Sequence, residues 1–309
     1  MARYLDPKVD LTFKKIFGQH PDLLINFLNA VMPFEQNRYI ETVEYLPSEL
    51  IPDNPLRKYS IVDVRCTDNH KRQFIIEMQS DWEEAFMSRI LFNAGKAYVR
   101  QLDKGRKYNL LQPVYTLVIL NDSFDHKTGQ YYHHYRIVNI ENSDEIIEGL
   151  EFVLIEIPKF RPETVEDRKR AVLWLRFLKE VGEDMKALPP EMQENEYIRT
   201  AAALCEESAF TPEELAAYDG YWDWISLENT RKHNAQVRME KMENALKEME
   251  NALKESEAAG EQKKAIEVAK KALKMGMPEN DVTALTGLSK DDLKQLESLW
   301  HVISTPKMI

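Results

Sequence analysis

The sequence predicts an α/β or α+β sandwich built on a central mixed sheet, followed by an all-α C-terminal region. Three observations lead there. Apolar residues recur at helical spacing as far as Val31, then alternate as in strands between residues 39 and 157, with one long helix interposed. The segment Val114–Leu120 is apolar almost throughout, so it reads as a strand buried on both faces. After Pro158 the strand patterns cease.

The elements follow in the order ααβββαβββ. Residues 9–18 form a short helix, with Leu11, Phe13, Ile16 and Phe17 near helical spacing and Gly18 as its stop. Residues 21–31 form a second, with Leu23, Leu24, Phe27, Leu28 and Val31 on one side. Residues 39–46 read as a strand, and residues 47–58, with three prolines, as a loop. Residues 59–67 and 73–79 are two strands joined by the turn Asp68-Asn69-His70-Lys71. Residues 81–106 read as one long helix, and residues 130–141 and 152–157 as further strands. Helices then cover residues 165–179 and 194–210. Thr211-Pro-Glu-Glu has a cap, a proline at the first position and acids in the first turn, the pattern of a helix start.

The 309 residues leave room for one sizeable domain or two smaller ones, and 43% hydrophobic against 30% charged residues allows a real core. No apolar run approaches the roughly 20 residues of a membrane helix, and the N-terminus has no apolar signal-peptide core. Cys66 and Cys205 sit in apolar sequence, as expected of two buried thiols in a reducing cytoplasm. A net charge of −11 argues against a general nucleic-acid binder. The acidity is uneven, however. Residues 1–110 hold 16 Lys and Arg against 15 Asp and Glu, and the rest of the chain 25 against 37.

The hairpin carries the candidate chemistry. Alternation puts Val62, Val64 and Cys66 on one face with Phe74, Ile76 and Met78. The other face carries Ile61, Asp63, Arg65 and Thr67, then Gln73, Ile75, Glu77 and Gln79. With the turn centred on His70, Asp63 stands opposite Glu77, and directly paired Cβ atoms are about 4.5–5.5 Å apart. Two carboxylates so close repel unless something neutralises them, and a divalent cation with hard oxygen ligands does so. A hairpin with one wet face would carry the same acids, but Ile61 and Ile75 on that face point to partial cover.

The opening Leu5-Asp6-Pro7-Lys8-Val9-Asp10-Leu11-Thr12-Phe13-Lys14-Lys15-Ile16-Phe17-Gly18 resembles the N-terminal signature of the Rpn family of recombination-promoting nucleases, also labelled transposases. Ile61-Val62-Asp63-Val64 and Ile75-Ile76-Glu77-Met78-Gln79 resemble that family's Asp…Glu-x-Gln core. Tyr98-Val99-Arg100-Gln101-Leu102, Gly105-Arg106-Lys107-Tyr108 and the tail around Gly276 and Thr286-Gly287-Leu288-Ser289 are similar to it as well. The resemblance implies a PD-(D/E)XK restriction-endonuclease-like core and metal-dependent DNA cleavage. It implies Asp63 and Glu77 as ligands of Mg²⁺ or another divalent cation. Asp10, on the first helix, is a candidate third carboxylate, and equally an exposed acid at a helix N-terminus. Gln79 stands where many members of the wider superfamily have lysine. It carries no charge, so its expected part is to position the attacking water, with Lys14 as a source of the missing cation.

Arg89, Lys96, Arg100, Lys104 and Lys107 fall at steps of seven, four, four and three, one helical stripe if the helix passes Gly105. Such a stripe suits the DNA backbone, and equally an ordinary solvated face. His133 and His134 are adjacent in a strand and point to opposite faces, so they are strand filler rather than a metal pair. Residues 242–255 are Met-Glu-Asn-Ala-Leu-Lys-Glu twice. Met242, Leu246, Met249 and Leu253, extended by Met239, make a heptad seam ended by Gly260. It suits a homodimer, or one solvated helix packed on its own domain. Residues 263–300 outline a helix-turn-helix, but the last helix is nearly neutral, with Asp291, Asp292 and Glu297 beside Lys290 and Lys294, which favours a structural or interaction role. The expected divisions are a nuclease domain at 1–160, a helical extension at 161–230, the heptad helix at 231–259 and a small helical tail at 260–309.

Overall fold

The computed structural model describes residues 3–34, 38–50, 60–102, 105, 107–162 and 169–296. Two helices open the chain, α1 (Asp10–Phe17) and α2 (Pro21–Val31); α2 buries the residues the apolar spacing selects, and α1 buries Phe13, Ile16 and Phe17 of them, with Thr12 in the place of the partly exposed Leu11. The signature ahead of α1 is an anchor. The Leu5 N–H donates to the Cys205 carbonyl at 2.7 Å and the Asp6 N–H to the Tyr218 hydroxyl at 2.9 Å. The Lys8 ammonium donates to Asp6 at 2.8 Å and to the Leu178 carbonyl at 3.0 Å. These bonds fix the start of α1, and with it Asp10 and Lys14.

Among the described residues eight strands follow, with one α-helix between them: β1 (Val43–Tyr45), β2 (Glu49–Leu50), β3 (Ser60–Ile61), β4 (Val64–Asp68), β5 (Gln73–Gln79), α3 (Phe86–Val99), β6 (Val114–Leu120), β7 (Tyr132–Val138) and β8 (Ile146–Glu156). Six of them form a mixed sheet in the order β1-β4-β5-β6-β8-β7. β5, β6 and β8 are parallel neighbours, while β1, β4 and β7 run antiparallel to theirs. β6 is buried at all seven positions, as its composition requires. Parallel β5 and β6 need a crossover, and α3 supplies it.

The strand expected over residues 59–67 is interrupted. β3 pairs with β2 in a separate two-stranded sheet, the chain bends at Val62 and Asp63, and β4 then joins the main sheet. The Val62 N–H is drawn to the Ser48 carbonyl at 3.1 Å. Val62 therefore leaves the face of Val64 and Cys66 and packs with Ile75, Ala94, Ala97 and Val114. The expected helix over 81–106 is α3 alone. Gly105, with φ of 85°, lies beyond its end, and Tyr59 and residues 51–58 lie outside the described residues.

Helices α4 (Lys169–Glu180), α5 (Pro190–Glu194) and α6 (Glu196–Cys205) join α1 and α2 in one apolar cluster with one face of the sheet. The core there is aromatic: Phe17 lies 4.7 Å from Phe27 and 5.5 Å from Trp174, ring centre to ring centre. α3 covers the opposite face, where smaller clusters gather around Ala94 and Ala97 and around Phe86 and Ile90.

The chain divides into two compact units, Met1–Trp222 and Asp223–Ile309. Helix α7 (Pro212–Lys274) begins in the first and ends in the second. It starts with a reciprocal cap: the Glu214 N–H donates to Thr211 Oγ1 at 3.2 Å and the Thr211 N–H to Glu214 Oε2 at 2.8 Å. It does not stop at Gly260. A glycine costs a helix roughly 1 kcal/mol, which the alanine- and lysine-rich sequence after it absorbs. In the second unit, the end of α7, helix α8 (Glu279–Thr286) and a helical turn over 290–296 enclose a small core of Ala269, Ala272, Val282, Leu288 and Leu293. Gly276 and Gly287 take positive φ at the helix ends, as their places in the sequence suggest. Among the described residues no helix is long and apolar enough to cross a membrane.

Candidate active site

The ladder pairs Val64 with Ile76 and Cys66 with Phe74, so its register extrapolates Asp63 to Glu77. Asp68 holds the turn that sets this register, accepting from the backbone N–H groups of His70 at 3.0 Å and Arg72 at 2.9 Å. Asp63 lies at the bend, just outside the ladder. Its Oδ2 accepts the Met78 N–H at 2.7 Å, so a side chain takes over where the strand stops. Glu77 faces α3 and is only 7% exposed; its Oε1 accepts from Asn93 Nδ2 at 3.1 Å. The face that could have been wet is thus covered by a helix at Glu77, while Ile61 stays exposed.

Both carboxyls are pushed towards protonation. Burial raises Asp63 to about 6; the Met78 N–H and Lys14 oppose the rise, and the charges of Asp10 and Glu77 add to it. Burial likewise raises Glu77, against the Asn93 hydrogen bond and the charge of Arg89. A divalent cation fits such a pair, because it supplies the charge that makes ionisation favourable for two hard oxygen ligands. Among the described residues no group of three His, Cys, Asp or Glu side chains could hold a metal ion.

The other candidates divide. Lys14 is 3.9 Å from Asp63, but its ammonium is bound to Asp10 at 2.8 Å; Asp10 is exposed and Lys14 half-buried. Gln79 has both polar ends engaged: Nε2 donates to the Asp81 carbonyl at 2.6 Å, and Oε1 accepts from Arg89 Nη2 at 2.5 Å. Arg89 therefore belongs to the carboxylate site. Lys96 donates to the Leu50 carbonyl at 2.6 Å, and Arg100 follows the last turn of α3. Burial lowers Arg65 and Lys96, and the charge of Arg100 lowers both further, so three cations share one patch. Lys107 is exposed beyond the helix, and Lys104 lies outside the described residues. The five-residue stripe is thus not one helical face.

Asn93 was missed in the sequence, although a signal was there: an amide on the stripe Ile90, Asn93, Ala94, Ala97 that α3 buries. His133 and His134 take separate partners, Glu156 and Glu151, each at 2.7 Å. Cys66 and Cys205 are buried free thiols.

Two family models match the chain: that of the PD-(D/E)XK nuclease family transposases over residues 7–221, and that of the C-terminal HTH domain of the Rpn/YhgA-like nuclease family over residues 262–298. The second identifies as a helix-turn-helix the tail whose near-neutral last helix argued for a structural role. Neither a curated protein nor a solved structure matches. The first match spans more than two thirds of the chain and takes in Asp10, Lys14, Asp63, Glu77, Gln79 and Arg89, so the chain belongs to the PD-(D/E)XK nuclease family transposases.

Proposed function

We propose that the protein is a divalent-metal-dependent DNA endonuclease, with Asp63 and Glu77 as ligands of Mg²⁺ or a similar cation. The observation that carries this reading is the carboxylate pair, half-buried Asp63 at the bend before β4 and buried Glu77 on β5, with the backbone N–H beside Glu77 bound to Asp63 and each carboxyl pushed towards protonation by desolvation. When bound, a divalent cation acidifies water and neutralises charge growing on a phosphate. The protein's own contribution is positional. The Met78 N–H and the Asn93 amide hold one oxygen of each carboxylate. Arg65, Lys96, Arg100 and Lys107 meet the DNA backbone. In-line attack of a water oxygen on phosphorus forms one P–O bond as the bridging P–O bond breaks; the leaving oxygen takes a proton, and no covalent enzyme intermediate forms. The protein works in a reducing compartment such as the cytoplasm, where its two thiols stay free.

The test is plasmid cleavage by purified protein with Mg²⁺, with EDTA, and as Asp63→Ala and Glu77→Ala variants checked for folding by circular dichroism. Cutting that requires the metal and both carboxylates is the expected result. A folded wild type that cuts neither duplex nor single-stranded DNA would turn the assignment to an interaction or regulatory protein on a nuclease fold.

We also propose that a second copy of the chain docks on the heptad seam of α7. Met239, Met242, Leu246 and Met249 are 70–76% exposed, and the repeat gives two copies matching knobs. Light scattering of wild type against Met242→Lys/Leu246→Lys checks it: the wild type should be dimeric and the variant monomeric.

A further inference from the structure

The motif position two residues after Glu77 is neutral here, so the site lacks a cation on the strand. The Lys14 ammonium is already paired with a carboxylate, Asp10. Arg89, equally half-buried, is held differently. Its guanidinium lies over the Phe86 ring, 4.9 Å from the centroid, and its Nη2 donates to Gln79 Oε1 at 2.5 Å. Gln79 stands two residues from Glu77 on β5, so the two share a strand face and Arg89 is held on the same side as the carboxylate. Among the described residues Arg89 has no carboxylate partner. The Gln79 amide has a single orientation that satisfies both ends: turned over, it would set N–H groups against the guanidinium and oxygen against the Asp81 carbonyl. One bond to Gln79 leaves four of the five N–H donors of a guanidinium for other acceptors. The planar fork matches phosphate oxygens two at a time.

Resting on the nuclease reading, we propose that Arg89 is the catalytic cation of this site. It binds the non-bridging oxygens of the scissile phosphodiester in place of a strand lysine, and Gln79 is the positioning residue that aims it. A neutral strand residue with a helix-borne arginine and a charged strand residue without one are then two arrangements of the same function.

The experiment measures kcat and KM on plasmid DNA with Mg²⁺, alongside melting temperatures, for wild type, Arg89→Met, Arg89→Lys, Gln79→Met and Gln79→Lys/Arg89→Met. Arg89→Met keeps the packing on Phe86 and removes the charge, and should lower kcat about 10²–10³-fold with little change in melting temperature. Arg89→Lys should retain part of the rate. Gln79→Met should lower kcat at unchanged KM, which a merely structural contact would not do. The double variant returns a cation from the strand and should regain at least about tenfold over Arg89→Met. A wild-type rate for Arg89→Met, or no gain in the double variant, overturns the assignment of Arg89. Absence of metal-dependent cutting by the wild type itself overturns the nuclease reading, and the assignment with it.

Discussion

The sheet face beneath α1, α2, α4 and α6 is packed with Phe13, Phe17, Phe27, Trp174 and Phe177 in continuous contact with the inward side chains of β4, β5 and β6. The face beneath α3 is broken into smaller apolar clusters, and among them stand Glu77, Asn93 and Thr116, all buried. There, Asn93 Oδ1 and Thr116 Oγ1 have no hydrogen-bond partner among the described residues. Apolar burial stabilises by roughly 25 cal/mol per Å², whereas a buried polar group left unpaired costs about 1–3 kcal/mol. The aromatic face therefore carries the larger continuous apolar burial and the α3 face a desolvated carboxyl, Glu77, although unpaired buried atoms also occur away from α3, at Thr12 and Arg72. On the nuclease reading proposed above, a site that takes a charged cation and a charged phosphate is placed where charge is costly when both are absent.

The largest effect that would sharpen this contrast is on the aromatic face. Trp174→Ala removes a buried ring with three aromatic contacts and its Nε1 bond to Asn26. Urea unfolding should show a loss of about 3–5 kcal/mol. A loss below about 1 kcal/mol would mean that this face does not carry the stability.

On the α3 face the sign should reverse. The folded-state pKa of Asp63, about 6, lies above the unfolded value of about 3.9. The native state holds this proton more tightly than the unfolded chain does. The ionisation penalty is therefore absent in acid, grows as pH rises from about 4 to about 6, and is fully present above 6. In metal-free buffer at neutral pH, Asp63→Asn should stabilise the protein by about 1–3 kcal/mol, with the gain fading as pH falls below about 6 and gone by about 4. Protons and cation compete for the same carboxylate, so wild-type affinity for Mg²⁺ in calorimetric titrations should climb with pH and level off above about 6. An Asn variant less stable than wild type at pH 7 would break the comparison.

The smallest effect belongs to Thr116. Thr116→Val keeps the shape and removes an unpaired hydroxyl, so melting should shift upward by the equivalent of about 1 kcal/mol. A destabilising result would show that the hydroxyl has a partner in solution.

Much of this fold is legible locally. The turn at Asp68 sets the register, and a fixed register with period-two alternation is enough to bring Asp63 opposite Glu77. Thr211 and Gly287 mark helix ends because capping depends on a few neighbouring residues. The errors lie where a distant partner outvotes local pattern. Val62 changes face because the Ser48 carbonyl takes its N–H and β3 pairs elsewhere. Arg89 reads as one rung of a basic stripe, yet it turns to Gln79, ten residues away in sequence. The neutral last helix of the tail argued against a helix-turn-helix, a shape that the small core around Val282 and Leu293 forms regardless of surface charge.

The sequence by itself determined the order of helices and main-sheet strands, the hairpin register and the family signature, because each depends on hydrogen bonding and periodicity within a few residues. Only the tertiary structure decided that Glu77 is buried beneath Asn93, that Gln79 spends its amide on Arg89, and that Lys14 is paired with Asp10. Those contacts depend on the angle and height at which a helix lands on a sheet, and these are set by packing across the whole layer rather than by spacing along the chain.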